Sequence, residues 1–459
     1  MKRFRVMEVQ VSRALTRATL ASAIGTTIEW YDFFLYGTAA SLVIAELYFP
    51  HQNHLVGQLA AFSTYFVGFL ARPLGAVVFG PIGDRLGRKY TLIMTLVLMG
   101  VATILIGVVP PYSSIGISGA IILTLLRLIQ GIGVGGEWGG SVLLAVEWGG
   151  KRHRGLIGSA AQWGVPAGLV LAVGSEALMS VIAGPVGYLQ WGWRVPFLLS
   201  AVILMVGIWI RLGILETPVF TKLLEERRVE SSPLRQVFRL HWREVILTAL
   251  LRSGEQAPFY IFSTFVLTYL TKILKVATNT EALLWVLLSA VISLFTVPLF
   301  GAFSDRIGRR KLYIIGALLM AIFAFPYFWL LDSKTPLLLI LAIAISLPVW
   351  GIQSGPQASL IAEAFTGRVR YSGASLGYQL ASIIAGGPAP IIAVALLSLS
   401  LGSLPIAGYV VVCALVSVVA AALLRDRSSN DLSVEYDLAR KKDPPKLLPG
   451  VEVSSAQNS

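Results

Sequence analysis

Apolar residues in this chain come in long, nearly unbroken runs, not in the alternating or every-third-residue stripes of a soluble fold. The runs repeat at about 20 residues, the length a helix needs to cross roughly 30 Å of hydrocarbon. Twelve are read, numbered span 1 to span 12 in chain order: 18–45, 55–79, 90–109, 116–146, 155–183, 192–213, 244–271, 281–303, 311–331, 336–362, 371–398 and 404–424. Prolines fall inside several of them, at Pro73, Pro166, Pro258, Pro298, Pro348, Pro356 and Pro388. Membrane helices tolerate this because neighbouring helices satisfy the backbone groups that proline frees. The predicted fold class is an all-α membrane protein with twelve transmembrane helices.

Composition removes the competing classes. Hydrophobic residues make up 56% and charged residues 13%, against ~25% charged in soluble domains. Mean hydropathy is +0.75. A soluble chain of 459 residues could not hide that much apolar surface, so the excess faces a lipid bilayer. A soluble enzyme, a secreted disulfide scaffold and a disordered protein are excluded. The single cysteine, Cys413, cannot form an intrachain disulfide. The segment Met1–Arg17 is basic, but no small-residue cleavage site follows it, so no removable signal peptide is expected.

The net charge of +13 matters through its distribution. Of 37 Lys and Arg, four (Arg194, Lys272, Lys275 and Lys334) fall in loops on one face and three (Arg72, Arg127 and Arg252) at membrane depth; the other 30 fall on the opposite face. The positive-inside rule makes that basic face cytoplasmic, with both termini inside a multi-pass plasma-membrane protein. Positive charge is thus topological, and no nucleic-acid partner is expected.

An internal repeat divides the chain. Gly80-Pro-Ile-Gly-Asp84-Arg85-Leu-Gly87-Arg88-Lys89 follows span 2, and Gly301-Ala-Phe-Ser-Asp305-Arg306-Ile-Gly308-Arg309-Arg310 follows span 8. Both fit G-x-x-x-D-R-x-G-R-[RK] and both join the second and third span of a six-span half. The expected organisation is a cytoplasmic N-terminus (1–17), two pseudo-symmetric six-helix bundles (18–213 and 244–424), a cytoplasmic linker (214–243) and a disordered cytoplasmic tail (425–459).

With these motifs in place the chain resembles the major facilitator superfamily over roughly 18–424. Three further stretches resemble its metabolite:proton symporter branch: Gly25-Thr-Thr-Ile-Glu29-Trp30-Tyr31-Asp32-Phe33 in span 1, Arg127-Leu-Ile-Gln130-Gly131 with Gly133, Gly135, Gly136, Glu137, Trp138, Gly139 and Gly140 in span 4, and Gly192-Trp193-Arg194-Val-Pro196-Phe197 entering span 6. Leu215-Glu216-Thr217-Pro218-x-Phe220 also fits. Members of that branch carry carboxylic acids, amino acids, betaines and similar small polar metabolites.

The resemblance implies that the repeated loops latch a cytoplasmic gate. Asp84 would sit near a helix N-terminus of the other half, where the dipole favours an anion, and Asp305 is expected as the gate residue at the matching position of the second loop. Arg85 and Arg88 would pair with carboxylates when that side is closed, with Glu137 expected as a partner, and Arg306 and Arg309 are expected as gate residues of the second loop. The alternative is a plain positive-inside loop.

Ionisable groups at membrane depth are costly and point to function. At 1.5 Å per residue, Glu29 lies ~16 Å, Asp32 ~21 Å and Arg127 ~16 Å from the inner face. Glu29 and Asp32 share a helix face, and either could reach Arg127. The resemblance implies that a span 1 acid and this arginine form the proton switch, with Asp32 favoured over Glu29. None of the four histidines lies well inside a span. The alternative is a static ion pair holding span 1 to span 4. Arg252 and Glu255 in span 7, ~12 and ~16 Å deep, form a second cluster. Its guanidinium suits a carboxylate substrate bound through two hydrogen bonds, and the alternative is a self-contained pair three residues apart. Gln162, Trp163, Tyr260, Tyr378 and Gln379 stand at plausible cavity depth. Glu176 and Arg194 read as structural groups near the outer face, and Arg72 as a residue at the inner end of span 2 whose side chain snorkels to the interface.

No G-x-x-x-x-G-K-[ST] loop and no Cys/His cluster occurs in the sequence, so neither ATP drive nor a bound metal is expected, and no cofactor. The reading is a monomeric, non-enzymatic, proton-coupled symporter importing a small polar metabolite, an organic acid, by alternating access. A zwitterion (proline or betaine) or sugar symporter, a drug exporter and a non-transporting membrane sensor of the same fold are the alternatives.

Overall fold

The computed structural model describes residues 2–148, 153–213, 233–366, 369–399 and 402–427, with backbone alone at 2–15, 17, 18, 21, 84, 88, 144, 147, 148, 233 and 234. Most of the expected linker and tail therefore lies outside the described residues. All twelve apolar runs are helical, and no strand occurs among the described residues. Spans 2 to 6 are His54–Leu86, Arg88–Val108, Ser118–Trp148, Arg154–Gly187 and Arg194–Leu212. Spans 8, 9, 10 and 12 are Asn279–Ile307, Arg309–Asp332, Pro336–Glu363 and Leu404–Leu423.

Spans 1, 7 and 11 are less regular. Span 1 begins at Lys2–Ala39 and passes into a π turn at Ala40–Ile44. Span 7 breaks at Arg252 between Trp242–Leu251 and Ser253–Tyr260, then continues through π turns at Ile261–Phe265 and Tyr269–Ile273. Span 11 has a π turn at Ser382–Gly386 between Arg370–Ala381 and Pro388–Leu397. Such widened turns gather at functional sites in helices. Ten of the helices are long and apolar enough to cross a membrane by length and composition; spans 1 and 7, which carry the acid and arginine clusters, are the other two.

The prolines show how irregular backbone is kept inside the bilayer. Pro258 cannot donate to the Gly254 carbonyl one turn back, and Gln353 of span 10 donates to that oxygen instead, at 3.1 Å. Pro298 frees the Leu294 carbonyl, which accepts from the Trp163 indole at 3.0 Å. Pro348 frees the Ala344 carbonyl, which takes the Ser289 hydroxyl at 3.4 Å.

Glycine sets the closest helix contacts. Span 5 lies against span 1 at Gly164 and Gly168, where an added Cβ would stand 2.6 Å from Thr26 Cβ and 2.7 Å from Trp30 Cβ. Gly131 and Gly135 press on the backbone of span 2 at Gly68 and Arg72. The first and last six spans meet where span 2 packs on span 11 and span 5 on spans 8 and 10. The outward surface is apolar, with Trp209, Phe295, Ile322 and Leu337 exposed, as a lipid-facing belt requires. The two repeated loops turn alike: Gly87 sits at φ 105° and Gly308 at φ 101°, a left-handed conformation that glycine adopts without strain.

Candidate functional site

The close approach of span 5 fixes the rotation of span 1 and sends its acids inward. Asp32 is buried, and its Oδ1 accepts from the Ser200 hydroxyl of span 6 at 2.8 Å. Tyr31 donates to the Pro196 carbonyl at 2.8 Å. Glu29 is buried too, and its Oε2 has no hydrogen-bond partner.

Neither acid pairs with Arg127, contrary to the expected contact. Gln130, one turn further along span 4, occupies the space between. Its Oε1 accepts from Arg127 Nη1, while its Nε2 donates to the Asp32 carbonyl at 3.3 Å and to Thr103 at 2.7 Å. The Arg127 guanidinium lies over aromatic faces, 4.4 Å from the Phe33 ring centre and 4.3 Å from that of Tyr36. Its Nε and Nη2 have no acceptor.

Arg72 does not snorkel. Span 2 runs on to Leu86, so Arg72 sits ~20 Å of helix short of that end. Its side chain is fully buried over Phe33 (3.9 Å), Phe69 (4.6 Å) and Trp30 (5.3 Å). Nη1 makes a long 3.4 Å hydrogen bond to Ser382, and Nε and Nη2 have no partner. Arg72 and Arg127 thus share the Phe33 ring within a box completed by Tyr65, Phe69 and Tyr260. Tyr65 and Tyr260 each bury a hydroxyl without a hydrogen bond.

Arg252 and Glu255 do form the i,i+3 pair, at 3.3 Å. Trp350 holds the other Glu255 oxygen at 2.8 Å. Arg252 donates to the Tyr378 carbonyl at 2.6 Å and lies 3.1 Å over the Tyr378 ring. With its amide oxygen facing the guanidinium, Gln256 accepts from Arg252 Nη2 at 2.7 Å. Tyr378 stacks in turn on Trp138, 3.6 Å away. Gln162 accepts from Trp138 at 3.2 Å and donates to Gln357 at 2.7 Å, joining span 5 to span 10. Gln379 donates to the Val134 carbonyl at 3.3 Å. Trp163 is not part of this centre. It is half-buried on the seam with span 8, where it satisfies the carbonyl freed by Pro298.

On the basic face, Asp305 accepts from the backbone N–H groups of Gly155 (2.8 Å) and Leu156 (3.0 Å) at the N-terminus of span 5. This contact, made across the two halves, is of the kind that the resemblance implied for Asp84 at the matching position. Arg309 pairs with Asp305 at 3.0 Å and with Glu363 at 2.9 Å, and Glu363 pairs with Arg154 at 2.8 Å. Arg85 and Arg306 are exposed. The side chains of Asp84 and Arg88 lie outside the described residues. Glu137 has Arg211 of span 6 as its ion-pair partner among the described residues, not Arg85. It is fully buried, because span 4 continues eleven residues beyond it to Trp148.

Sequence reasoning passed over Trp350, Gln353, Ser354 and Gln357 of span 10. Their spacing of three, four and seven puts polar groups on one helix face, which in an apolar span is a legible signal. It also passed over Glu363 and Arg154 as a pair, for which no one-chain spacing exists.

Comparison with known proteins shows the family. The sequence profile of the Major Facilitator Superfamily matches residues 22–387, with a further match over 278–439. The chain is 39% identical over 381 residues to the inner membrane metabolite transport protein YhjE of Escherichia coli strain K12, covering 82% of this chain and 87% of that protein. It is 38% identical over 423 residues to the shikimate transporter of the same strain, covering 91% and 96%. The proline/betaine transporter of Salmonella typhimurium is 30% identical over 427 residues, covering 91% and 85%. Among solved structures, the proton:xylose symporter XylE superposes with a TM-score of 0.74 over 92% of this chain and 98% of its own, at 17% identity. The chain belongs to the major facilitator superfamily. It is a multi-pass membrane secondary transporter of small solutes and not an enzyme.

Proposed function

We propose that this transporter is a proton-coupled symporter that imports a small carboxylate-bearing metabolite by alternating access, with its basic face in the cytoplasm. One observation carries the choice of substrate. Arg72 and Arg127 are buried beside one aromatic box with four guanidinium N–H-bearing nitrogens lacking any acceptor. Buried guanidinium groups with idle donors are costly, and a carboxylate satisfies several at once. Arg252, by contrast, is engaged by Glu255, Gln256 and Tyr378, so its part is to fix span 7 against span 11. The relative named as a shikimate transporter supports the acid reading, since shikimate is a carboxylate.

Asp32 is the proton carrier in this reading. It forms no ion pair, and Gln130 connects its backbone to Arg127, so an anion drawing Arg127 away disturbs the surroundings of Asp32. A moving positive charge gains ~2.3 kcal/mol per 100 mV, which drives accumulation when the two sites are linked. The aromatic faces favour a second reading. Trp30, Phe33, Phe34, Tyr65 and Phe69 could stack an onium group while an arginine holds the carboxylate of a betaine, and a relative is named a proline/betaine transporter.

Uptake into proteoliposomes under an imposed pH gradient tests the proposal, with shikimate, proline and xylose as probes. Concentrative shikimate uptake that collapses with a protonophore is expected. Gradient-driven uptake of xylose alone would remove the anion site, and ligand binding without flux would make the protein a sensor.

A further inference from the structure

On the face opposite the basic loops a cavity of about 970 Å³ opens between the ends of spans 1, 2, 7, 9, 11 and 12. That face is poor in positive charge, yet three of its four basic residues, Lys272, Lys275 and Lys334, line this one cavity. The fourth, Arg194, is spent on the carbonyls of Gly107 and Val109. Lys275 and Lys334 are also the two non-glycine residues with positive φ among the described residues, at 54° and 56°. These turns take the conformation that glycine or asparagine fills most easily, and lysine stands there instead.

The acids in the cavity cancel this charge only in part, since two carboxylates, Glu46 and Asp332, face three lysines. Asp332 accepts from Tyr269 and from Ser403, each at 2.5 Å. Glu46 of span 1 is held by Lys272 of span 7 at 3.0 Å, and Lys272 also reaches the Leu42 carbonyl at 3.4 Å. Two hydroxyls add to the same span 1 to span 7 closure: Ser41 donates to the Thr264 carbonyl at 3.0 Å and Thr268 to the Ser41 carbonyl at 3.3 Å. Lys275 and Lys334 have no ion-pair partner among the described residues, and both are exposed.

We propose that this cavity is a docking vestibule for a carboxylate anion, held first by Lys275 and Lys334. The docked carboxylate then competes with Glu46 for Lys272. Because the Lys272–Glu46 pair ties span 7 to span 1, its release loosens the outer closure only when an anion has arrived. This rests on the reading that the transported solute carries a carboxylate. It places a second, weaker station for it above the Arg72–Arg127 centre.

The test reads charge and occupancy at the cavity directly. Leu55, exposed on the cavity wall, is changed to Cys in a Cys413→Ala background, in the full chain reconstituted in nanodiscs. Labelling rates are compared for an anionic sulfonatoethyl and a cationic trimethylammonioethyl methanethiosulfonate. Any change in thiol ionisation cancels in their ratio. The ratio is expected to favour the anionic reagent and to fall about tenfold in Lys275→Gln/Lys334→Gln or in high salt. Shikimate is expected to slow labelling while its methyl ester does not, and Glu46→Gln to strengthen that protection about two- to fivefold. An unchanged ratio in the double variant, or equal protection by acid and ester, overturns the vestibule. Unaltered protection in Glu46→Gln overturns the competition step. Protection without any shikimate uptake supports the vestibule and removes shikimate from the central site; uptake without protection overturns the vestibule alone.

Discussion

Arg154 and Glu363 lie 2.8 Å apart, both almost wholly buried, and join the start of span 5 to the end of span 10 across the two halves of the transporter. Glu363 also holds Arg309, so one carboxylate ties two arginines. Glu363→Gln removes the carboxylate that Arg154 and Arg309 share and leaves Arg309 to Asp305. Breaking a buried pair from one side costs on the order of 3 kcal/mol, which is enough to invert a closed-to-open ratio. Spin-label distances across the basic face are expected to lengthen in the variant. An unchanged distance distribution would show that other contacts hold this face shut.

Asp305 reaches two backbone N–H groups and Arg309 with its two oxygens. Asp305→Asn keeps one acceptor and loses the charge that the helix N-terminus favours. The expected cost is about 1 kcal/mol, giving a smaller opening than Glu363→Gln by the same distance measurement. Asp84→Asn, at the matching position of the repeat, is expected to open the same face. If neither aspartate variant moves the distances, the repeated loop is only a positively charged connector.

Asp32→Asn replaces an acid with an amide that cannot carry a proton. Ser200 can still donate to its oxygen, so the fold is expected to survive. Accumulation driven by a pH gradient should vanish while substrate exchange across the membrane continues. Full uphill uptake in this variant would transfer the role to Glu29, whose Oε2 is buried without a partner.

Arg72 is expected to bind the carboxylate. A charged hydrogen bond contributes about 1.5–3 kcal/mol, so Arg72→Gln should weaken binding roughly 10- to 150-fold. Arg72→Lys keeps the charge without the fork and should fall between. Calorimetric titration with shikimate measures both. Neutral behaviour of Arg72→Gln together with loss of binding in Arg252→Gln would return the substrate to span 7.

Gly168 faces Trp30 Cβ and the Tyr31 backbone nitrogen, with 2.7 Å to each from an added Cβ. Gly168→Ala forces spans 1 and 5 apart, and overpacking of this kind costs about 1–3 kcal/mol. A lowered unfolding temperature is expected, with weaker proton coupling because Asp32 shifts with span 1. A variant as stable as the parent, with normal coupling, would mean the seam yields without moving the acid.

The pattern of apolar runs determined the helices, because only a closed hydrogen-bond ladder survives in hydrocarbon and about 20 residues are needed to cross it. The same one-dimensional reading set Glu29, Asp32, Arg127, Arg252 and Glu255 well inside their spans, and all five are buried. The repeat located two loops that turn alike, and Asp305 in the second caps the N-terminus of span 5. Partners were another matter. Which side chain meets which depends on the rotation of each helix and on its neighbours, and neither is written in spacing along one chain. Small residues such as Gly164, Gly168 and Gly135 decide those approaches only once two helices are together. Hence Arg127 meets Gln130 and aromatic rings instead of Asp32, Glu137 meets Arg211 instead of a gate arginine, and Trp163 closes a proline gap in span 8. Arg72 was misread for the related reason that span 2 runs past the end of its apolar run to Leu86. Its guanidinium is left at the centre of the molecule, and packing alone put it there.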